Sequence, residues 1–448
     1  MALSLPVIIG LPHWTISGPH IFAANLARGL RSAGVEAHLL FTEADSELVT
    51  ETAVKTPLPE DVPHALLPAG RHDSWGRRWE SLIRYLEERA PCVYLMLHDW
   101  RMNVVAPRLS DRVRLVGLVQ CDSALEYDQA ARLGRYWNAT VAVCEPIHHH
   151  LLARAPHLAP RLLTIPNAVP TLDAVPAKTT NGPLRIAYSG ALRREQKRLH
   201  DVVSIIAGLA ERGVPFRFNF LGDGPLCPEL EVATRSWQER GLVSFAGYLQ
   251  QTELFEELAQ TDALVLASDS EGLSIALLEA MSRACVPVVT DIPTNTVVIR
   301  NGENGFAVPI GAIGDFVEHL ALLASDTALR RRLSQAAWQT IKDGGYSQSA
   351  QLAAYLELFG RVADNTHFRR PRGAMSAPPE RVGKVEIMPG NHQFYEDYIN
   401  GLAMWPNPPA NTDPAAPRRH ALTRPFADYQ VIFATPSGHI SGVANPFL

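Results

Sequence analysis

The sequence predicts an α/β protein with two doubly wound parallel sheets, and three observations support this prediction. Short apolar runs alternate with helical patterns along most of the chain, which is typical of parallel strands covered by helices. The chain has 448 residues, whereas a single hydrophobic core stops growing at roughly 250–300 residues. A polar stretch rich in proline divides the alternating pattern into two regions. We therefore expect two domains.

The first predicted domain covers residues 1–168 and begins with a strand–helix–strand unit. Residues 6–10 and 35–41 are apolar runs, and an amphipathic pattern at 21–33 that ends at Gly34 separates them. No pattern is interpretable from Thr42 to Ser74. The remaining apolar runs predict strands at 92–97, 113–119, 139–143 and 162–165, with helices near 76–90, 128–136 and 145–155.

The second predicted domain covers residues 184–345 and follows a linker at 169–183. Its sheet begins afresh at Leu184. A helical pattern at 346–363 is expected to cross back to the first domain. The tail at 364–448 is rich in Pro, Arg, Asn and Gly with little periodicity, so we expect it to be partly disordered or docked on the folded body.

Composition narrows the possible partners. The chain has 41 basic and 46 acidic residues and a formal net charge of -5, which gives no overall attraction for nucleic acid. Its five cysteines form no CxxC pair, which argues against a disulfide framework or a zinc site. We find no signal peptide pattern and no apolar run near the ~18–20 residues that span a bilayer. A cytoplasmic protein is expected, and peripheral attachment to a membrane stays open.

Glu271 and Glu279 form the most informative motif. A buried strand is predicted at 262–267, and a turn and an apolar helical pattern follow it, which places Glu271 at the carboxyl end of the strand. At a rise of about 1.5 Å per residue the two carboxylates lie roughly 12 Å apart, wider than the ~5–9.5 Å of glycoside hydrolase acid pairs. The spacing suits two ends of an extended sugar–diphosphate–nucleoside. Between the acids, free N–H groups and the helix dipole are expected to seat the diphosphate, at Gly272, Leu273, Ser274 and Ile275.

An ordered set of further motifs surrounds this pair, at 184–190, 196–198, 220–225, 245–248 and 301–306. With its Glu-x7-Glu signature, the set resembles the second domain of the retaining glycosyltransferases of family 4, and the resemblance covers most of the chain. It implies the GT-B fold, in which two Rossmann-like domains face each other across a cleft. It also implies a nucleoside-diphosphate sugar as donor and a glycan, a lipid-linked molecule or a small molecule as acceptor.

The resemblance implies roles for three charged residues. Glu271 matches the acid that hydrogen-bonds sugar hydroxyls near the reacting carbon, Glu279 the acid that binds the ribose, and Lys197 the lysine that neutralises the diphosphate. The alternative for Glu271 is a carboxylate that only complements a helix dipole.

Other positions on the donor side match the pattern of the family, and one position differs from it. The family usually has an arginine after the glycine that corresponds to Gly190, whereas this chain has Ala191. Arg193 or Arg194 could reach the phosphates instead, or either could be a surface residue. Close approach of the nucleotide is expected at three further positions, for which ordinary turns are the alternative: Gly222, Gly224 and Tyr248.

The first domain is expected to bind the acceptor and to form one wall of the donor site. Gly18 matches the family glycine at the first strand–helix turn, and His98 matches a frequent family histidine at a strand end. Gln120 stands where many relatives have a catalytic-site histidine, and a carboxamide cannot carry the proton. Either Asp122 or His98 replaces it, or no protein base is needed because the departing phosphate oxygen accepts the proton.

A metal site is not expected. The histidines at 148–150 are consecutive on a predicted helix and point in different directions, and no Asp-x-Asp pattern occurs. We predict a metal-independent hexosyltransferase without a cofactor. Two alternatives stay open: a sugar-nucleotide epimerase of the same fold, and a catalytically silent binding or scaffold protein. A dehydrogenase is disfavoured because the first strand–turn–helix lacks Gly-x-Gly-x-x-Gly.

Overall fold

The computed structural model describes most of the chain outside the tail. The described residues are 3–15, 17–43, 59–69, 75–97, 99, 102–178, 182–193, 196–365, 367–371, 433–434 and 440–441.

The first sheet has seven parallel strands in the order β3-β2-β1-β4-β5-β6-β7. Every residue of β1, β4 and β6 is buried, as expected for strands that helices cover on both faces. We call this sheet and its helices the N-terminal domain. Its strands are β1 Val7–Leu11, β2 Ala37–Phe41, β3 His64–Leu66, β4 Cys92–Met96, β5 Val113–Val119, β6 Ala139–Ala142 and β7 Leu162–Thr164.

The helices of the N-terminal domain are α1 Gly18–Ser32, α2 Trp75–Glu88, α3 Ala124–Leu133 and α4 Glu145–Arg154, with short 3-10 helices at Asn103–Arg108, Gly134–Tyr136 and Pro156–Arg161. Helix α1 begins three residues before the predicted start. Pro19 suits its first turn, and the Ser17 hydroxyl bonds to Nδ1 of His20 at 2.6 Å. Strand β3 was not predicted, since its three residues carry no periodic signal.

The second sheet has six parallel strands in the order β10-β9-β8-β11-β12-β13. We call it, with its helices, the C-terminal domain. Its strands are β8 Leu184–Ser189, β9 Phe216–Leu221, β10 Val243–Gly247, β11 Ala263–Leu266, β12 Val286–Thr290 and β13 Phe306–Val308. Its helices are α5 Leu199–Glu211, α6 Cys227–Glu239, α7 Gln251–Gln260, α8 Ile275–Ser282, α9 Pro293–Thr296, α10 Ile313–Ser325 and α11 Thr327–Asp343.

Two segments join the domains side by side. Val169 follows the first sheet and pairs in parallel with Ser347, and its N–H donates to the Tyr346 carbonyl at 2.9 Å. Helix α12, Gln348–Asp364, then packs against α1, with the Tyr355 and Phe22 ring centroids 5.8 Å apart. The last helix of the compact body therefore lies on the N-terminal domain.

Both sheets reverse their strand order beside the first strand, β1 in one and β8 in the other. In such doubly wound sheets, ligands bind at the carboxyl ends of the strands beside this switch point. The loops that follow β8 and β11 carry Lys197 and Glu271, and the loop after β5 carries Gln120. The predicted α/β fold class with two doubly wound parallel sheets is therefore confirmed.

The first residues of the tail are docked. Arg370 is 5% exposed, and its guanidinium donates to the backbone carbonyls of Leu109, Ser110, Val113 and Tyr136. Its own N–H donates to Asp111 Oδ1 at 2.9 Å. Beyond residue 371 the prediction for the tail falls outside the described residues, apart from a short antiparallel pair, β14 Phe433–Ala434 and β15 Ile440–Ser441. No helix among the described residues combines the length and the apolar character needed to cross a membrane.

Candidate functional site

Lys197 lies in a tight turn between β8 and α5. Its two neighbours, Gln196 and Arg198, both have positive φ, 52° and 44°, a conformation that residues with side chains adopt rarely. The Gln196 carbonyl accepts from the Asp269 N–H at 2.8 Å, and Arg198 Nη1 lies 3.0 Å from Asp269 Oδ1. These contacts tie the turn to the loop after β11 and direct Lys197 toward that loop.

Glu271 receives two hydrogen bonds on one carboxylate oxygen. Lys197 Nζ and Ser268 Oγ each donate to Oε1 at 2.6 Å. Glu271 is 7% exposed, and within the described part of the chain its Oε2 makes no hydrogen bond. Burial raises the pKa of the Tyr188 hydroxyl, and the charge of Glu271 raises it further, so Tyr188 lies close to Glu271. Glu271 is thus a fixed, buried carboxylate with one oxygen left for a further donor.

Helix α8 begins at Ile275, four residues after Glu271. Ser274 is its N-cap, and the Ser274 hydroxyl accepts from the Leu277 N–H at 3.4 Å. Glu271 therefore lies in a loop, and the helical rise behind the predicted separation of roughly 12 Å applies only from Ile275 onward. The separation of the two carboxylates stays a prediction. Among the described residues, the N–H groups of Ser274, Ile275 and Ala276 have no hydrogen-bond partner. These three N–H groups can donate to an anion at the positive end of the helix dipole.

Glu279 lies one turn into the same helix and is 7% exposed. Burial raises the pKa of its carboxyl to about 7, while Arg283 and a hydrogen bond from Gln251 oppose the shift. Gln251 also lines a cleft of about 790 Å³ between α1, α12 and the loop after β10. Tyr248 lines this cleft too, and its approach to the nucleotide stays a prediction.

The N-terminal domain contacts the Glu271 loop directly. Cys121 pairs with Gly272 in an antiparallel bridge, and the Asp122 N–H donates to the Glu271 carbonyl at 3.4 Å. A Cβ at Gly272 would lie 1.7 Å from the Gln120 carbonyl oxygen, so only glycine permits this approach. A Cβ at Gly18 would lie 3.5 Å from Ile275 Cδ1. The first turn of α1 therefore lies opposite the first turn of α8.

Two polar side chains follow β5 on this wall. Gln120 is 4% exposed, and neither end of its carboxamide has a hydrogen-bond partner among the described residues. Asp122 Oδ1 accepts from the Tyr127 hydroxyl at 2.7 Å and lies 3.7 Å from His150 Nδ1. A buried amide without a partner is costly, so Gln120 is available to bind a ligand.

The glycines after β8 and β9 accommodate the protein's own backbone. A Cβ at Gly222 would lie 2.0 Å from the Gly190 carbonyl oxygen, and one at Gly224 would lie 2.4 Å from the Leu192 carbonyl oxygen. Gly190 and Gly222 have φ of 137° and 152°. Two loops of the chain therefore approach each other closely here, while the approach of the nucleotide to Gly222 and Gly224 stays a prediction.

Two predicted residues, His98 and Arg194, lie outside the described residues. Arg193 is exposed, but its charge acts on the Tyr188 hydroxyl, as that of Glu271 does, so its role at the phosphates stays a prediction. The neighbouring Asp99 is buried, where its carboxylate accepts from the Thr42 hydroxyl and the Met102 N–H.

The histidines at 148–150 have separate neighbours, as predicted for consecutive helix positions. His148 bonds to Thr164 Oγ1 at 3.0 Å, and His149 lies 4.0 Å from Glu145. Among the described residues, no group of three or more His, Cys, Asp or Glu side chains is placed to share a metal ion.

Sequence reasoning missed Asn167. It was assigned only to the end of the first domain, just before the predicted linker at 169–183, yet its side chain reaches the loop before α8. The available signal was a polar residue between apolar residues and prolines at 165–170.

Comparison with known proteins identifies what the C-terminal half is similar to. Residues 174–340 match the family model described as glycosyl transferases group 1. The lipopolysaccharide core biosynthesis glycosyltransferase LpsE of Rhizobium meliloti is 32% identical over 164 residues, which are 37% of this chain and 46% of that protein. The alpha-D-kanosaminyltransferase of Streptomyces kanamyceticus is 28% identical over 178 residues, 39% of this chain and 46% of that protein. The chain thus spans a little under half of the length of these two relatives.

The fold comparison extends over both domains. The crystal structure of Anabaena HepE in complex with UDP superimposes with a TM-score of 0.62, covering 80% of this chain and 100% of that chain at 14% sequence identity. At this identity the match shows the fold alone. The two-domain arrangement is that of the GT-B glycosyltransferases.

Proposed function

We propose that this protein is a retaining glycosyltransferase that moves a sugar from a nucleoside-diphosphate sugar to a hydroxyl acceptor without a metal ion. One observation carries the proposal: Lys197, Glu271 and the unpaired N–H groups at the start of α8 lie together at the switch point of the second sheet. This site lies within the segment that matches the group 1 glycosyl transferases.

The donor is assigned along the loop and helix from Glu271 to Glu279. The diphosphate binds at the N–H groups of Ser274, Ile275 and Ala276, with Lys197 as its counter-charge. Glu279 receives the ribose hydroxyls, and its hydrogen-bond partner Gln251 lines the same cleft as Tyr248. UDP, which HepE binds in its crystal structure, is the first nucleotide to test.

The reaction needs charge stabilisation more than a base. The bond between the anomeric carbon and the phosphate oxygen breaks, and the acceptor oxygen bonds to the same face of that carbon. The acceptor's proton passes to the departing phosphate oxygen. Lys197 and the helix N–H groups stabilise the diphosphate charge, and the free oxygen of Glu271 faces the positive charge that develops on the sugar.

The acceptor is a hydroxyl of a glycan, a lipid-linked molecule or a small molecule, bound on the N-terminal side near Gln120 and Asp122. The names of the two relatives cover lipopolysaccharide core biosynthesis and kanosaminyl transfer, which supports this breadth. The connection between β7 and β8, at 165–183, and the segment 346–363 are proposed as the hinge about which the domains close over the donor.

A catalytically silent binding protein is the second candidate, and Gln120 and Ala191 favour it because both replace residues that the family uses. An epimerase of the same fold would share the nucleotide site but release a free sugar or an epimerised sugar nucleotide. Product analysis with a broad acceptor panel separates the three outcomes.

The deciding experiment is calorimetric binding of UDP, GDP, ADP and their sugar conjugates in the absence of metal, on the wild type and on Glu279→Ala and Lys197→Ala. Selective binding of one nucleotide that both variants weaken supports the proposal. No binding of any nucleotide would overturn it. Binding without sugar transfer to any acceptor would favour the silent protein.

A further inference from the structure

Asn167 connects the hinge to the proposed diphosphate site. It lies three residues after β7 and is 4% exposed. Its Nδ2 donates to the Leu273 carbonyl at 2.7 Å, across 106 positions of sequence. A side chain on the connection between the domains thus holds the backbone of the loop before α8.

The held carbonyl belongs to the same peptide unit as the Ser274 N–H. Because a trans peptide is planar, its C=O and N–H point in opposite directions. A hydrogen bond that draws the Leu273 oxygen toward Asn167 therefore directs the Ser274 N–H away from it. That N–H is the first of the three groups without a partner among the described residues.

The rest of the Asn167 side chain is not satisfied by its surroundings. Its Oδ1 is buried and has no hydrogen-bond partner in the described part of the chain. Other bonds fix the same connection without reaching the loop: Gln351 Nε2 donates to the Pro166 carbonyl at 2.6 Å, and the Val169 N–H donates to Tyr346. A buried, half-paired amide is a costly way to hold a hinge, and an apolar side chain would serve that purpose better.

We propose that Asn167 is a positioning residue that orients the Ser274 N–H toward the donor diphosphate. The inference rests on the proposed function, because it requires that an anionic phosphate group binds at the start of α8. It assigns to the hinge segment a part in ground-state binding of the diphosphate, which goes beyond joining the domains.

The first test uses Asn167→Asp, which keeps the shape but replaces the donating amide with a carboxylate that repels the Leu273 carbonyl. Calorimetry measures the dissociation constants of UDP, UMP and uridine, and of the guanine and adenine series, for the wild type and the variant. We expect at least about a tenfold loss for the diphosphate, as for one charge-assisted hydrogen bond, and less than about twofold for the nucleoside.

Lys342→Ala is the matched control. Lys342 Nζ donates to the Asp173 carbonyl at 2.7 Å, on the same connection between the domains. This variant should bind all three ligands as the wild type does. If Asn167→Asp weakens nucleoside and diphosphate by the same factor, or weakens neither, the positioning role is refuted while the nucleotide site stands. If the wild type binds no nucleotide, the proposed function fails first, and this inference fails with it.

A second pair of variants tests the same N–H group without changing Asn167. The φ of Ser274 is -63°, which proline can adopt, so Ser274→Pro removes the N–H, and Ser274→Ala controls for the lost hydroxyl. We expect Ser274→Pro to bind the diphosphate at least about tenfold more weakly than Ser274→Ala. Adding Asn167→Asp to Ser274→Pro should cause no further loss, whereas a further tenfold loss would contradict the mechanism.

Discussion

Lys197 Nζ lies 2.6 Å from Glu271 Oε1, although the two residues are 74 positions apart and belong to different loops. The pair sits where the strand order of the second sheet reverses, and Ser268 donates to the same oxygen. Before a donor binds, the cation thus neutralises a buried carboxylate. On donor binding, a diphosphate beside Lys197 would compete for this charge, which links leaving-group stabilisation to the state of Glu271.

The pair predicts strong coupling in a double-mutant cycle. Lys197→Met leaves the Glu271 carboxylate buried without a counter-charge and should lower the free energy of unfolding by about 3 kcal/mol. Adding Glu271→Gln should restore most of that loss, because the uncompensated charge is gone. Chemical denaturation of the two single variants and the double variant measures the coupling, and additive effects would contradict the interaction. Transfer activity should fall about 100-fold to 1,000-fold in Lys197→Met.

Glu279 predicts an unusual dependence of stability on pH. Its carboxyl has a pKa of about 7 in the folded protein against 4.5 in the unfolded chain. Between these values the folded state holds a proton that the unfolded state has released, so the free energy of unfolding falls as pH rises. The change is at most about 3 kcal/mol. Urea denaturation across this window measures it, and Glu279→Gln should remove it. Equal slopes in the two proteins would show that another group is responsible.

The same carboxyl predicts a pH dependence of nucleotide binding. Ribose hydroxyls donate to an ionised carboxylate more strongly than to a neutral acid. Nucleotide affinity should therefore rise as pH rises through about 7, and binding near that pH should release protons. Calorimetry in buffers of different ionisation enthalpy counts those protons. Glu279→Gln should bind weakly and release none.

A side chain at position 272 is expected to block the contact between the domains. A methyl group there would lie 1.7 Å from the Gln120 carbonyl oxygen, which is backbone and cannot turn aside. Gly272→Ala should therefore separate the domains at this point and reduce transfer by about 100-fold or more, because misplaced reacting groups cost that much. Small-angle X-ray scattering would detect the opening. Gly360→Ala, in α12 with open space around it, should leave shape and activity unchanged.

Replacing Gln120 by an apolar residue is expected to raise the stability of the protein and to lower its activity. Its buried carboxamide lacks partners in the described residues, so Gln120→Leu should raise the free energy of unfolding by about 1 kcal/mol. The same change should lower transfer activity, because the apolar side chain cannot bind a substrate hydroxyl. Thermal denaturation and steady-state kinetics test the two halves. A variant with greater stability and full activity would remove Gln120 from the site.

Arg370 predicts that the docked start of the tail stabilises the N-terminal domain. Arg370→Ala leaves four backbone carbonyls without their buried donor and should cost about 2–4 kcal/mol of unfolding free energy. Burial lowers the pKa of this guanidinium to about 10, so the anchor stays charged near neutral pH. Arg369→Ala, at the exposed neighbouring position, should change stability by less than about 0.5 kcal/mol. Similar losses in both variants would argue against a specific anchor.

The sequence by itself determined the fold class and the segments that build the donor side. Alternating apolar runs and helical patterns are local signals, and they placed Lys197 after β8 and Glu271 after β11. Helix boundaries were less accurate: the pattern could not show that α8 begins only at Ile275, because an apolar loop and an apolar helix turn read alike.

Only the tertiary structure decided which distant groups meet. The bond from Asn167 to Leu273 spans 106 positions, and those from Arg370 to the N-terminal domain span 234 to 261. Only the packing of the two loops shows that Gly222 lies directly against the Gly190 backbone. Local propensities do not specify such pairs of residues, because each contact depends on how two complete sheets pack and face one another.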